Sequence, residues 1–162
     1  MAEAGRGNSQ RIVNVALDTG PIVRWSPEIE HERRVAVFDL LEGNHFALVG
    51  KESGPYDLRL GVEENRLILD VRDETGAPLQ KIPLPLSTFR SIVKDYFKVC
   101  GSYFEAIRHG SRAQIEALEM GRRSLHNEGS ELLKERLGEK IEMDADTARR
   151  LFTLLCVLHI RS

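Results

Sequence analysis

The sequence predicts an α+β fold: an antiparallel sheet of about four to five strands, arranged as a meander, packed against a C-terminal layer of three helices, with one helix inserted after the first strand. Three observations carry this. Most apolar runs between Arg11 and Leu84 alternate with a period of two, and from Ser87 onward the period becomes 3.6. The links between the early runs are short and rich in glycine, proline and asparagine. Strands are gathered early and helices late, with no regular β-α alternation to build a parallel sheet.

The elements follow in order. Residues 1–10 are small and polar and are read as a disordered tail, leaving 11–162 as one domain. In RIVNVALD, Val13, Val15 and Leu17 alternate with Asn14, Ala16 and Asp18, the pattern of a half-buried strand. A loop, TGPIVRW, contains the only tryptophan, Trp25. Ser26-Pro27-Glu28 then opens a helix: the serine caps a free N–H, proline suits the first helical position, and early acids suit the positive end of the dipole. The helix is expected to stop at Gly43-Asn44. Ile29, Ala36 and Leu40 line one of its faces, while His31, Val35, Phe38 and partly Leu41 form a second apolar stripe. Such a helix is either sandwiched between layers or covered by a partner, and sandwiching is the expectation.

Next come a short strand at His45–Val49 and three further runs, YDLRLGV, RLILDVR and LQKIPL. Leu58, Leu60 and Val62 share a face, as do Leu67, Leu69 and Val71; Arg59, Arg66, Asp70 and Arg72 form the wet face. Pro83 has no N–H for a ladder, which places the last run at an edge. From Ser87, the expected cap, Phe89, Ile92, Val93, Tyr96, Phe97, Cys100, Phe104 and Ile107 recur at helical spacing up to His109-Gly110. Ser111 and Gln114 form a capping box for a long helix ending near Gly138. Asp144 caps a last helix that is apolar nearly all round after Arg150, so it is buried centrally or covered by a partner chain.

Bulk properties exclude several classes. With 23 basic against 25 acidic residues the net charge is −2, which offers no general field for phosphates and makes nucleic acid an unfavoured partner. No apolar run approaches the roughly 18 residues of a membrane span. The first residues lack a signal-peptide core, so a reducing cytoplasm is expected, with Cys100 and Cys156 as buried free thiols. No phosphate loop, nucleophile elbow or zinc spacing is present. Glu28 and His31 have Glu-x-x-His spacing, but a di-metal site of that kind needs two such motifs; no metal or other cofactor is expected.

The stretch GRRSLHNEGSELL, Gly121 to Leu133, holds the strongest site candidates. On the long helix Ile115, Leu118, Leu125, Leu132 and Leu133 share a face with Gly121 and Gly129. Glycine inside a helix costs about 1 kcal/mol against alanine, so two on the packed side point to a close approach by another backbone, a ligand or a partner. Arg122 falls within the apolar stripe, with His126 and Glu128 at its margins. Two readings stand. Arg122 holds an anion while His126 exchanges protons, with Arg149 or Asp144 approaching from the last helix; or Arg122 makes a buried ion pair and the glycines permit tight packing.

Four strings, SPEIEHERRVAVFDLLEGNHF, VKDYFKVCGSYFEAIR, MGRRSLHNEGSELLKERL and DTARRLFTLLCVLH, resemble a bacterial family catalogued as an uncharacterised protein family (number 0262). The resemblance runs from Arg11 to His159 and implies a bacterial, cytoplasmic protein with no assigned activity and no catalytic residues to carry over.

The leading expectation is therefore a small non-enzymatic interaction or regulatory protein. It would associate with itself or with an unidentified protein partner through the surplus apolar surface at His31, Val35 and Phe38 and on the last helix. The alternative is an enzyme or small-anion-binding protein, of unidentified ligand, with a pocket at Arg122, His126 and Glu128. A nucleic-acid-binding accessory protein, joining the arginine pairs 122–123 and 149–150, is the third.

Overall fold

The structure, a computed structural model, describes residues 9–18, 26–51 and 53–160. Trp25 and most of the expected N-terminal tail lie outside the described residues. Six strands and four helices occur among those described. The strands are β1 (Ile12–Asp18), β2 (Phe46–Leu48), β3 (Tyr56–Glu63), β4 (Arg66–Asp73), β5 (Pro78–Pro85) and β6 (Ile141–Met143). The helices are α1 (Pro27–Glu42), α2 (Leu86–His109), α3 (Arg112–Leu137) and α4 (Ala145–Ile160). The fold is α+β.

The main sheet has the order β1-β3-β4-β5 and is mixed, not wholly antiparallel. β3, β4 and β5 form the expected meander, with Glu64 and Asn65 at positive φ (51° and 62°) in the two-residue turn that matches strand twist. β1 joins it parallel to β3, because α1 and β2 intervene between them and supply the crossover a parallel pair requires. A register shift between Ile12 and Asn14 turns Val13 outward, breaking the simple alternation and leaving Ile12 and Val15 as the buried positions. β5, with Pro83, is an edge strand.

The short strand at 46–48 leaves the sheet altogether. It pairs antiparallel with β6, a strand absent from the sequence reading because three alternating residues, Ile141-Glu142-Met143, fall below any periodicity signal. The helix starts follow the sequence with one correction. The Ser26 hydroxyl accepts from Ile29 N–H, and Ser111 and Gln114 complete their capping box. α2, in contrast, starts at Leu86 directly after Pro85, with no side-chain cap, and its first N–H donates to the Asn65 carbonyl instead.

α4 is the centre of the molecule. Leu151 through Leu158 are at most 3% exposed, so its apolar circumference is consumed within the chain. It lies on β3 and β4, with α1 on one flank and α3 on the other, and α2 runs beside α3 as its antiparallel neighbour across a two-residue turn. Among the described residues no helix is long and apolar enough to cross a membrane.

Candidate functional site

The polar residues of α3 meet partners from other elements. Arg122 is held by Glu32 of α1: its Nη2 donates to both carboxylate oxygens, at 2.6 and 2.7 Å. Glu119 stands 3.9 Å from Nη1, and the guanidinium lies 5.7 Å from the ring centre of Tyr103. Glu32 is 8% exposed, and a carboxylate at that depth is tolerated because the arginine compensates it. Two buried atoms beside the pair, Arg122 Nε and Tyr96 Oη, have no hydrogen-bond partner among the described residues.

His126 is occupied too. Its Nε2 is 2.5 Å from Thr153 Oγ1 of α4, and because that hydroxyl donates to the Arg149 carbonyl, the imidazole N–H is the donor between them. The ring stacks on Tyr96 at 5.5 Å and touches Phe152. Burial first, then the positive charges of Arg122 and Arg149, push its pKa down to about 4, so the ring is neutral at pH 7.

The two glycines divide. A Cβ at Gly129 would stand 2.2 Å from Phe152 Cζ, so this glycine exists to seat a core ring. A Cβ at Gly121 would meet only Val99 at 3.9 Å, an ordinary contact. Glu128 is exposed and borders a groove with Thr88, Asp95, Glu131 and Glu135 on the other side of the helix. Arg122 and His126 are thus neighbours in one buried network, while Glu128 stands apart and the Phe152 ring fills the space beside Gly129.

A cleft of about 270 Å³ lies instead between the first turns of α1 and the second half of α2. Ile29, Phe97 and Phe104 wall it, and Glu32 and Cys100 form its floor. Glu28 and Arg108, paired at 2.7 Å, stand at its edge with Glu105. Burial pushes the Cys100 thiol up, so it is a weak nucleophile, and burial raises Cys156 as well.

Sequence reading missed Glu32, Tyr96 and Thr153 as partners. Glu32 was findable: Glu32, Ala36 and Leu40 are the buried residues of α1 at i, i+4 and i+8, so the carboxylate continues the packed stripe as Arg122 interrupts its own.

The outer side of α1 behaves differently. Val35 is 42% and Phe38 is 65% exposed, and His31, Arg34 and Glu42 beside them are exposed as well. The expected sandwiching applies to the Ala36–Leu40 side alone. α1 sits against α4 and β1, at the rim of the helical layer, with this stripe facing away from the core.

A family described as an uncharacterised protein family (UPF0262) matches residues 9–161. A protein of Paramagnetospirillum magneticum named for that family is 60% identical over 152 residues, covering 94% of this chain and 97% of the relative. One from Rhodospirillum rubrum is 55% identical over 161 residues, covering 99% of each, and one from Phenylobacterium zucineum is 56% identical over the same coverage. No solved structure matches the chain.

Proposed function

Since the chain belongs to this uncharacterised family (UPF0262), we propose from its surface that it is a non-enzymatic interaction protein, regulatory in effect, that takes a protein partner on the outer face of α1. The site is His31, Val35 and Phe38, and it works in a reducing bacterial cytoplasm where Cys100 and Cys156 stay thiols. The observation that carries this is the exposure of Val35 and Phe38 on a helix whose opposite face is fully packed. Scattered exposed apolar residues are ordinary, but two on successive turns of one helix form the anchors of a helix-packing surface.

The competing readings lose support from the same geometry. Anion binding at Arg122, His126 and Glu128 would need a guanidinium free to fork onto a ligand, and Glu32 holds that group. The nearby cleft carries Glu28, Glu32 and Glu105 against Arg108, a balance that repels anions. For nucleic acid, three of the four arginines that would make a basic face are paired: Arg122 with Glu32, Arg123 with Glu119 and Arg149 with Asp146.

The test is a photo-crosslinking amino acid placed at Phe38 in the native cell. A discrete adduct from position 38, absent from a control position on the charged sheet face at Arg59, is the expected result. If position 38 captures nothing above Arg59, the face is not an interaction site.

A further inference from the structure

α2 and α3 lie side by side over most of their length, and a furrow follows their seam on the solvent side. Its walls recur at helical spacing, with Thr88, Asp95 and Ser102 on α2 and Ala117, Gly121 and Leu125 on α3. One stretch of about 660 Å³ lies near the turn between the helices, and another of about 410 Å³ lies toward the end of α3. At 1.5 Å per residue, positions 88 to 109 span about 32 Å, the length of a further helix of about 20 residues. The furrow is lined entirely from the continuous described stretch 53–160.

Its middle is lined by small side chains, Ser102, Ala106 and Ala117, with Gly121 beside them. Gly121 weakens α3 by about 1 kcal/mol against alanine, yet a Cβ there would meet only Val99, at 3.9 Å. The fold therefore does not ask for a glycine at this position. Gly129 is the contrast, since the Phe152 ring occupies the space its side chain would need. A glycine on a furrow wall without an internal reason fits the close approach of a backbone from outside.

The charge of the furrow is one-sided. Toward the end of α3 its floor is apolar, formed by Ile92, Leu125 and Leu132, and four exposed carboxylates, Asp95, Glu128, Glu131 and Glu135, stand around it. No lysine or arginine lines this part. Among the described residues none of the four makes an ion pair, whereas Glu116 and Glu119, in the first half of the same helix, are paired with Arg112 and Arg123. Nor do they converge: among the described residues no group of acidic, histidine or cysteine side chains is placed to hold a metal ion. Spread carboxylates over an apolar floor match cations spread along an apolar body, which is the chemistry of a basic amphipathic helix.

We propose that the furrow between α2 and α3 docks an amphipathic helix of a partner protein. Its lysines or arginines lie over Asp95, Glu128, Glu131 and Glu135, and its apolar face rests on Leu125 and the small residues around Gly121. This surface is separate from the outer face of α1, because α1 and α3 flank α4 on different sides. It neither depends on that face nor competes with it, and both can be filled at once.

The test is fluorescence anisotropy of the full chain with a labelled synthetic helix of about 20 residues, built of alanine and leucine with lysines clustered at one end. A second peptide carries glutamates in place of the lysines. The lysine helix binds at least about tenfold more tightly than the glutamate helix, and raising the salt from about 50 to 500 mM weakens it. Glu128→Lys with Glu131→Lys lowers its affinity by at least about tenfold. Glu64→Lys with Glu74→Lys, the same change of charge on the exposed turns of the meander, leaves it within about twofold, because charges far from the bound helix are screened. Gly121→Leu, which fills the middle of the furrow, weakens binding while circular dichroism shows the chain still folded. Equal losses from the two charge variants would reduce the effect to net charge and overturn the site. Binding indifferent to Gly121→Leu overturns the seating of a helix in the furrow, and a chain that takes neither peptide overturns the proposal outright. None of these results bears on a crosslink from position 38, so the α1 reading stands or falls by itself.

Discussion

In α3 the residues that do not suit their positions are polar groups on the packed side; in α1 they are apolar groups on the outer side. The first set finds its partners inside the same chain. Arg122 has Glu32, His126 has Thr153 and two aromatic rings, and Gly129 has the Phe152 ring. The second set, Val35 and Phe38, is left in solvent. An anomaly that is compensated internally belongs to the fold, and one that is not compensated belongs to something outside it. GRRSLHNEGSELL draws the eye first in the sequence, yet the quieter stripe on α1 is the better functional candidate.

Substitutions that separate the compensated from the uncompensated set should differ sharply in cost. The largest effect is expected at the ion pair. Glu32→Ala or Arg122→Ala leaves a mostly buried charge unpaired, for a loss of about 3 kcal/mol in chemical denaturation. The double variant should cost clearly less than the sum, because removing both charges removes the unpaired one. Single losses below about 1 kcal/mol would mean that the pair is a surface contact, and the contrast with α1 would blur.

His126 comes next. Its folded pKa of about 4 lies below the ordinary 6.5, so between those values the unfolded chain binds the proton that the folded chain refuses. Stability therefore falls as the pH drops from about 6.5 toward 4, by up to about 3 kcal/mol from this group. Comparing the pH dependence of wild type with that of His126→Gln isolates the effect from the carboxylates. Parallel profiles would place the imidazole in water rather than between Tyr96 and Phe152.

The glycines give a smaller effect with opposite signs. At Gly129 an alanine gains about 1 kcal/mol of helix propensity but forces Phe152 to move, an overpacking cost of roughly 1–3 kcal/mol, and a net loss is expected. At Gly121 the same change meets only an ordinary contact with Val99 and should stabilise by about 0.5–1 kcal/mol. Thermal denaturation of the two variants side by side reads the difference, and a stabilised Gly129→Ala would mean that Phe152 does not seat there.

How far these features could be read beforehand depended on the distance between the partners. The Ser26 and Ser111 caps, the β3–β4 turn and the helical run from Phe89 to Ile107 are set by neighbours a few residues apart, and all are visible in the sequence. Arg122 could be marked as needing a partner, but that partner lies 90 residues away, and one chain gives no signal for such a pairing. The departure of β2 to β6 and the parallel entry of β1 were hidden for the same reason. Each is decided by a long-range register that local alternation does not encode. The outer stripe of α1 was legible as a pattern. What the sequence could not separate was burial under a second layer from exposure, since both produce the same periodicity.

Phe38→Asp should have the least effect on the folded chain, within about 0.5 kcal/mol at low concentration, because the side chain is largely in solvent. The same substitution carries the central claim. A photo-crosslinking amino acid at Val35 is predicted to give a discrete adduct in the otherwise wild-type chain and to lose it when Phe38→Asp is added, with equal stability of the two proteins. An adduct indifferent to Phe38→Asp, or a variant that no longer folds, would contradict the account.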